Sequence, residues 1–142
     1  MDPLEAVADA IMAYEGWKPG TLSYTNRNPG NLRSSRFAAG MGIGGFVRFA
    51  SLVNGYMALT RDLRAKFSGK NEHGISGETT LLGLMQVYAP TADYNVPMSY
   101  AQFIAHWLTL ALGQGVHTST TLREIAPEVC GPAPAPPVAV GA

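Results

Sequence analysis

The sequence predicts a mainly α-helical domain of the α+β class, with about five helices and a small, irregular β-hairpin after the first helix. Apolar residues recur at steps of three and four along most of the chain, and Asp, Ser or Thr precedes these runs as a helix cap. Glycine and proline turns replace this pattern between residues 17 and 50. The chain has 142 residues, of which 46% are hydrophobic and one is cysteine, so one domain with a substantial core and no disulfide is expected.

The first helix has a clear start and a clear end. Asp2 is the expected N-cap, Pro3 occupies the first helical position, and Glu5 stands where a capping box requires it. Gly16 is expected to end the helix. Its apolar stripe consists of Leu4, Val7, Ala8, Ile11 and Met12. This stripe predicts a helix that packs on the core.

The glycine-rich region that follows is expected to contain the hairpin. Residues 22–25 and 45–49 are the two segments whose composition fits extended strands, and Pro-Gly and Asn-Pro-Gly-Asn turns surround them. A second helix then follows Ser51 and frays after Phe67. A third is capped by Thr80 and must stop before Pro90, since the residue ahead of proline avoids the helical region.

Two more helices complete the predicted domain. Ser99, with a Gln three residues later, is expected to open a helix that ends at Gly113, and Thr121 caps a short last helix in the same way. We expect the domain to span residues 1–130. Residues 131–142 form a Pro/Ala-rich tail that is typical of a disordered end or linker.

Charge and composition exclude several classes of function. Ten Lys and Arg residues balance ten Asp and Glu residues, so the excess of positive charge that favours nucleic-acid binding is absent from the total. No apolar run approaches the ~18–20 residues of a membrane span. The N-terminus opens with acidic residues, so we expect no signal peptide, synthesis in the cytoplasm and no membrane insertion. The three histidines share no helical face, so neither a metal nor another cofactor is expected.

Glu15 is the residue best suited to chemistry. On a helical wheel it falls near the middle of the apolar stripe of the first helix. Burial and the negative end of the helix dipole both disfavour its charged form, so its pKa should rise toward the range of a general acid. The alternative is that Glu15 curls into solvent or caps a neighbouring loop. The Asn-rich turn at residues 26–31 offers uncharged donors and acceptors suited to sugar hydroxyl and N-acetyl groups.

Several short motifs occur in an order typical of one protein family. They are Tyr-Glu-Gly-Trp at residues 14–17, Asn-Pro-Gly-Asn at 28–31, Gly-Phe-Val-Arg-Phe at 45–49, Gly-Tyr at 55–56 and Tyr-Ala-Pro at 88–90 followed by Asp93. Over residues 3–113 the chain resembles the lysozyme-like domains with an Asn-Pro-Gly-Asn signature of phage and prophage proteins. These domains are similar in architecture to goose-type lysozymes and soluble lytic transglycosylases, so the resemblance implies a lysozyme-like fold.

The resemblance implies a muramidase that degrades the bacterial cell wall. Glu15 would be the general acid that protonates the β-1,4 glycosidic oxygen between N-acetylmuramic acid and N-acetylglucosamine in the glycan strands of peptidoglycan. The family often has a Glu-Asn pair after Tyr-Ala-Pro, where this chain has Asp-Tyr-Asn, and Trp17 is equally compatible with a place in the core. The implied substrate-binding residues are Asn28, Gly30, Asn31, Tyr88, Trp17 and Asp93.

Glycoside hydrolysis normally uses two carboxylates, and no second one is evident. The candidates are Asp62, Glu72, Glu78 and Asp93, each of which is also typical of a solvated surface charge. One catalytic acid/base favours a lytic transglycosylase, although a hydrolase with a distant base has the same appearance. The alternative function is a non-catalytic sugar-binding or structural virion module. The neutral charge favours a module that a phage particle or another carrier delivers to the wall. The resemblance also includes the endolysins of bacteriophages among the proteins that it implies.

Overall fold

A computed structural model describes residues 1–89 and 95–135. The described chain is mainly helical and carries one small antiparallel sheet, which confirms the predicted α+β class. The helices are α1 (Pro3–Tyr14), α2 (Leu22–Thr25), α3 (Leu52–Phe67), α4 (Leu81–Tyr88), α5 (Pro97–Leu112), α6 (Leu122–Ile125) and α7 (Pro127–Cys130). The strands are β1 (Gly40–Met41) and β2 (Val47–Arg48), separated by a 3₁₀ turn at Ile43–Gly45.

Helix α1 lies in the middle of the core and packs against α3 and α5. Its start is as predicted: the Asp2 carboxylate accepts a hydrogen bond of 2.8 Å from the backbone N–H of Leu4, and Pro3 occupies the first turn. Its buried residues are Leu4, Ala6, Val7, Ala8, Ala10 and Ile11. Full burial of each large apolar side chain stabilises the fold by roughly 1.5–3 kcal/mol. Helix α1, which has Glu15 as its C-cap, is therefore fixed in place by the packing of its apolar side chains.

The predicted first strand is wrong. Residues 22–25 form the single-turn helix α2, because the Thr21 hydroxyl accepts a hydrogen bond from the Tyr24 backbone N–H and caps a helical turn. The hairpin instead pairs Gly40 with Arg48 and Met41 with Val47. Of the second predicted strand, residues 45–49, only the two residues of β2 are extended in the sheet.

The remaining helices largely follow their caps. The hydroxyls of Ser51, Thr80 and Thr121 each accept a hydrogen bond from the backbone N–H three residues later, at 3.0–3.2 Å. Helices α3, α4 and α6 begin directly after these residues, as predicted. Side-chain capping therefore determines where these three helices start.

The predicted start of α5 at Ser99 is wrong, although its end is right. The helix begins at Pro97, whose fixed φ and missing N–H suit the first turn, and it ends at Gly113 in the left-handed conformation, with φ +68°. Helix α7, which also begins with a proline, was not predicted. Most of the predicted tail, residues 136–142, lies outside the described residues.

Neither a membrane-spanning helix nor a metal-binding cluster occurs in residues 1–89 and 95–135. The longest helices, α3 and α5, have 16 residues each, whereas a span needs ~20. No group of three His, Cys, Asp or Glu side chains within these ranges is arranged to hold a metal ion.

Candidate active site

A cleft of about 500 Å³ opens where the end of α1 meets the 28–31 turn, α3 and α4. It brings together four of the predicted site residues: Glu15, Gly30, Asn31 and Tyr88. The other described residues that line it are Leu22, Leu32, Arg33, Ser34, Phe46, Asp62, Lys66, His73, Val87, Ala89 and Asn95. The cleft is therefore lined by residues from the helical core and from the glycine-rich region.

The Glu15 carboxyl group is held at the wall of this cleft by two hydrogen-bond donors. Glu15 is the C-cap of α1, and Gly16, with φ +75°, turns the chain away directly after it. The Tyr100 hydroxyl donates to Oε1 at 2.9 Å, and the Asn31 side-chain amide donates to Oε2 at 2.8 Å. Both carboxyl oxygens therefore have fixed positions, in contrast to the alternative in which Glu15 curls freely into solvent.

Burial is the main influence on the charge of Glu15. It raises the pKa of this carboxyl group above its usual value, and the hydrogen bonds from Tyr100 and Asn31 offset part of that rise. Burial was the first cause expected from the position of Glu15 on the apolar stripe. A carboxyl group with a raised pKa retains its proton to higher pH than an ordinary glutamate and can therefore donate it.

The 28–31 turn owes its shape to the buried amide of Asn28. Its Nδ2 donates to the carbonyl oxygens of Leu32 and Val47, both at 2.9 Å, and its Oδ1 accepts from the Leu32 backbone N–H at 2.9 Å. Asn28 is fully buried. Its side chain therefore ties the turn to β2 and does not face the cleft, unlike the substrate-binding role that the resemblance implies.

Asn31 is unusual in its backbone conformation and in the hydrogen bonding of its side chain. Its φ of +48° lies in the left-handed region, which asparagine tolerates better than most residues. Its Oδ1 is buried and accepts no hydrogen bond within the described part of the chain. Turning the amide by 180° would therefore break no hydrogen bond at Oδ1 and would present that acceptor to Glu15. Asn31 can thus partner both the carboxylate and the protonated carboxylic acid.

Tyr88 anchors the turn from the helical side. Its hydroxyl donates to the Gly30 carbonyl oxygen at 2.5 Å, and burial raises its pKa, so it remains a protonated donor. A Cβ atom on Gly30 would lie 2.5 Å from this hydroxyl and 2.7 Å from a methyl group of Leu59. Residue 30 must therefore be glycine for the turn to approach α3 and α4 this closely.

A second carboxylate lines the cleft. Asp62 on α3 pairs with Lys66 one turn later at 2.5 Å, and the two side chains are 31% and 10% exposed. Lys66 also lies over the ring of Tyr88, 5.6 Å from its centroid. The expectation that each candidate carboxylate is a solvated surface charge therefore does not hold for Asp62. It does hold for Glu72 and Glu78, which are both exposed.

Three predicted substrate-binding residues are not among the described residues that line the cleft: Asn28, which is buried within the turn, Trp17 and Asp93. Trp17 lines a different cavity of about 540 Å³ with Tyr24, whose ring centroid is 5.2 Å away. Asp93 lies outside the described residues. Tyr100, which belongs to the apolar stripe of α5, is a site residue that was not predicted from the sequence. A tyrosine on such a stripe is a signal, because its buried hydroxyl needs a hydrogen-bond partner.

No family model matches the chain, and neither a curated protein nor a solved structure matches it. The resemblance to lysozyme-like domains therefore stays a prediction based on the motifs, chiefly those at residues 14–17 and 28–31. The chemistry of the cleft is therefore the remaining guide to a function.

Proposed function

We propose that this protein has a lysozyme-like fold and is a peptidoglycan-degrading muramidase. It would cleave the β-1,4 bond between N-acetylmuramic acid and N-acetylglucosamine, with Glu15 as general acid/base. One observation carries the proposal: a half-buried carboxyl group with a raised pKa stands at a cleft, between a tyrosine hydroxyl and a side-chain amide. Such a group suits protonation of a glycosidic oxygen in a site that accepts neutral sugars.

The reaction that fits this arrangement is an intramolecular transfer. The Glu15 carboxylic acid protonates the glycosidic oxygen, the bond to C1 of the muramic acid breaks, and positive charge develops on that sugar. The resulting carboxylate then takes the proton of the muramic acid 6-hydroxyl, whose oxygen bonds to C1. The product is a 1,6-anhydro ring, no water is consumed, and Glu15 regains its proton. Rotation of the Asn31 amide would give Glu15 a hydrogen-bond partner in both halves of the cycle.

The state of Asp62 favours this transglycosylase route. Its Oδ2 accepts a hydrogen bond from the Lys66 ammonium group at 2.5 Å, so this oxygen is already engaged in an ion pair within α3. Hydrolysis is the second candidate, because Asp62 lines the same cleft as Glu15 and would be the residue that activates water. The two routes differ in their products, since hydrolysis leaves a reducing end in place of the anhydro ring.

The test is the release of soluble fragments from purified cell-wall sacculi, analysed by mass spectrometry. Fragments with 1,6-anhydromuramic ends are expected from the wild type, and none from Glu15→Gln. Glu5→Gln is the matched control, because Glu5 lies on the same helix but is exposed. Reducing ends would indicate hydrolysis and would lead to Asp62→Asn as the next variant. Release that survives Glu15→Gln would refute the assignment of the acid. Binding to sacculi without release would favour the non-catalytic sugar-binding or virion module.

A further inference from the structure

The net charge of zero hides a strong separation of charge along the chain. All ten Asp and Glu residues lie outside residues 16–61, whereas six of the ten Lys and Arg residues lie within that segment. All six of these basic residues are exposed. They are Lys18, Arg27, Arg33, Arg36, Arg48 and Arg61. Residues 16–61 therefore carry six positive and no negative side chains, although the whole molecule is neutral.

Three of these arginines converge around one loop. The guanidinium groups of Arg36 and Arg61 lie 4.8 and 4.4 Å from the ring centroid of Phe37. Arg48 lies opposite Gly40 of β1, three residues after Phe37, and a Cβ atom on Gly40 would lie 3.4 Å from the Arg48 Nη2. Within the described residues, none of the three arginines forms an ion pair. We refer to them as the Arg36–Arg48–Arg61 cluster.

Two members of this cluster stand close in sequence to residues that line the cleft. Ser34 and Asp62 both line the cleft, Arg36 follows Ser34 by two residues, and Arg61 directly precedes Asp62. Phe37, between the two guanidinium groups, is 41% exposed and offers an apolar floor. We propose that the Arg36–Arg48–Arg61 cluster is a docking surface for the carboxylates of the peptidoglycan strand whose sugars occupy the cleft.

The identity of this partner rests on the proposed function, and the charges of the site support it. Planar guanidinium groups bind carboxylates through paired hydrogen bonds, and the peptides of a glycan strand, like its lactyl groups that bear no peptide, carry carboxylates. The sugar backbone between these side groups is uncharged. A nucleic acid, by contrast, would place a continuous row of phosphates in a cleft whose described lining holds two cations, Arg33 and Lys66, and two carboxyl groups, Glu15 and Asp62, and so offers no excess of positive charge. The arrangement therefore favours a neutral polymer with acidic side groups.

The experiment measures sedimentation with sacculi that have been stripped of phosphate-containing polymers. All proteins carry Glu15→Gln, so that the sacculi stay intact. Arg36→Gln combined with Arg61→Gln should weaken binding about fivefold, from the usual strength of exposed charge pairs. Lys70→Glu is the matched control, because it changes net charge equally at an exposed position outside residues 16–61. Its binding should stay within about twofold of the parent.

Two further arms identify the ligand chemistry. Conversion of the sacculus carboxylates to amides should remove the difference in binding between the double variant and the control. Salt at ~1 M should do the same, because it screens charges that are more than a few ångströms apart. Thermal unfolding establishes that each variant is folded. Equal binding by the double variant and the control would refute the proposal. Cluster-dependent binding to a DNA duplex but not to sacculi would assign the surface to nucleic acid instead.

The outcomes separate this proposal from the enzymatic one. If binding depends on the cluster but the wild-type protein releases no fragments, the docking surface stands and the muramidase proposal fails. If fragments are released but the double variant binds sacculi as tightly as the control, the muramidase proposal stands and the docking surface is refuted.

Discussion

Replacing Tyr100 with phenylalanine should destabilise the protein more at neutral than at acidic pH. The substitution removes the 2.9 Å hydrogen bond to Glu15 and keeps the ring, which stacks on Tyr14 at 3.8 Å. A hydrogen bond to a charged group contributes about 1.5–3 kcal/mol, and one between neutral groups about 0.5–1.5 kcal/mol. We therefore expect the free energy of unfolding to fall by about 2 kcal/mol where Glu15 is ionised and by about 1 kcal/mol where it is protonated.

The sign of the pH dependence follows from the raised pKa of Glu15. Its pKa is higher in the folded than in the unfolded protein, so its contribution to stability is complete below about pH 4 and is lost as the pH rises through the folded value. The Tyr100 hydroxyl stabilises the ionised form. Tyr100→Phe should therefore raise the pKa of Glu15 further and shift the alkaline limb of the pH–activity profile to higher pH.

Urea unfolding at pH 4 and pH 8 measures the loss of stability with Glu15 protonated and with Glu15 ionised. Tyr56→Phe is the control, since the Tyr56 hydroxyl donates to the Asp9 carboxylate at a similar distance, 2.8 Å, away from the cleft. It should leave the pH–activity profile unchanged. Equal losses of stability at the two pH values in Tyr100→Phe, or a shift of its alkaline limb to lower pH, would refute the reasoning.

Three further substitutions test the turn beside the cleft. Gly30→Ala should lower the free energy of unfolding by about 1–3 kcal/mol in urea, because the new methyl group would overlap Tyr88 and Leu59. Tyr88→Phe should cost about 1 kcal/mol, seen as a lower Tm, since it removes the donor to the Gly30 carbonyl oxygen; an unchanged Tm would argue against that bond. Asn31→Asp places a second carboxyl group beside Glu15, and repulsion between the two charges should keep Glu15 protonated to higher pH and move the alkaline limb of activity upward; a downward shift would contradict this expectation.

Helix starts that depend on one local hydrogen bond could be predicted from the sequence. Asp2, Ser51, Thr80 and Thr121 each cap a helix through a backbone N–H only two or three residues away. The error at residues 22–25 has the same origin, because the cap at Thr21 was overlooked in favour of strand propensity. The pairing of β1 with β2 could not be predicted, since the glycine-rich segment carries no alternation of side chains that specifies a register.

The candidate site was predictable where its parts are close in sequence. Glu15 and Asn31 are 16 residues apart and belong to the motifs at residues 14–17 and 28–31. Both were predicted as site residues, and a hydrogen bond connects their side chains. Tyr100 is 85 residues from Glu15, and no motif marks it. The excess of basic residues at positions 16–61 could also have been predicted from the sequence. It was not, because acidic residues elsewhere bring the net charge of the chain to zero.

The two residues that donate hydrogen bonds to Glu15 differ in their distance from it along the chain: Asn31 is 16 residues away and Tyr100 is 85 residues away. Contacts between residues close in the chain form at a small entropic cost, whereas α5 must close a long loop before Tyr100 reaches the carboxyl group. A chain whose last helices have not yet docked would therefore lack the Tyr100 donor and the packing of α5 against α1. The chemistry of the cleft would then switch on only with completion of the tertiary structure, which would keep a nascent or damaged copy inert.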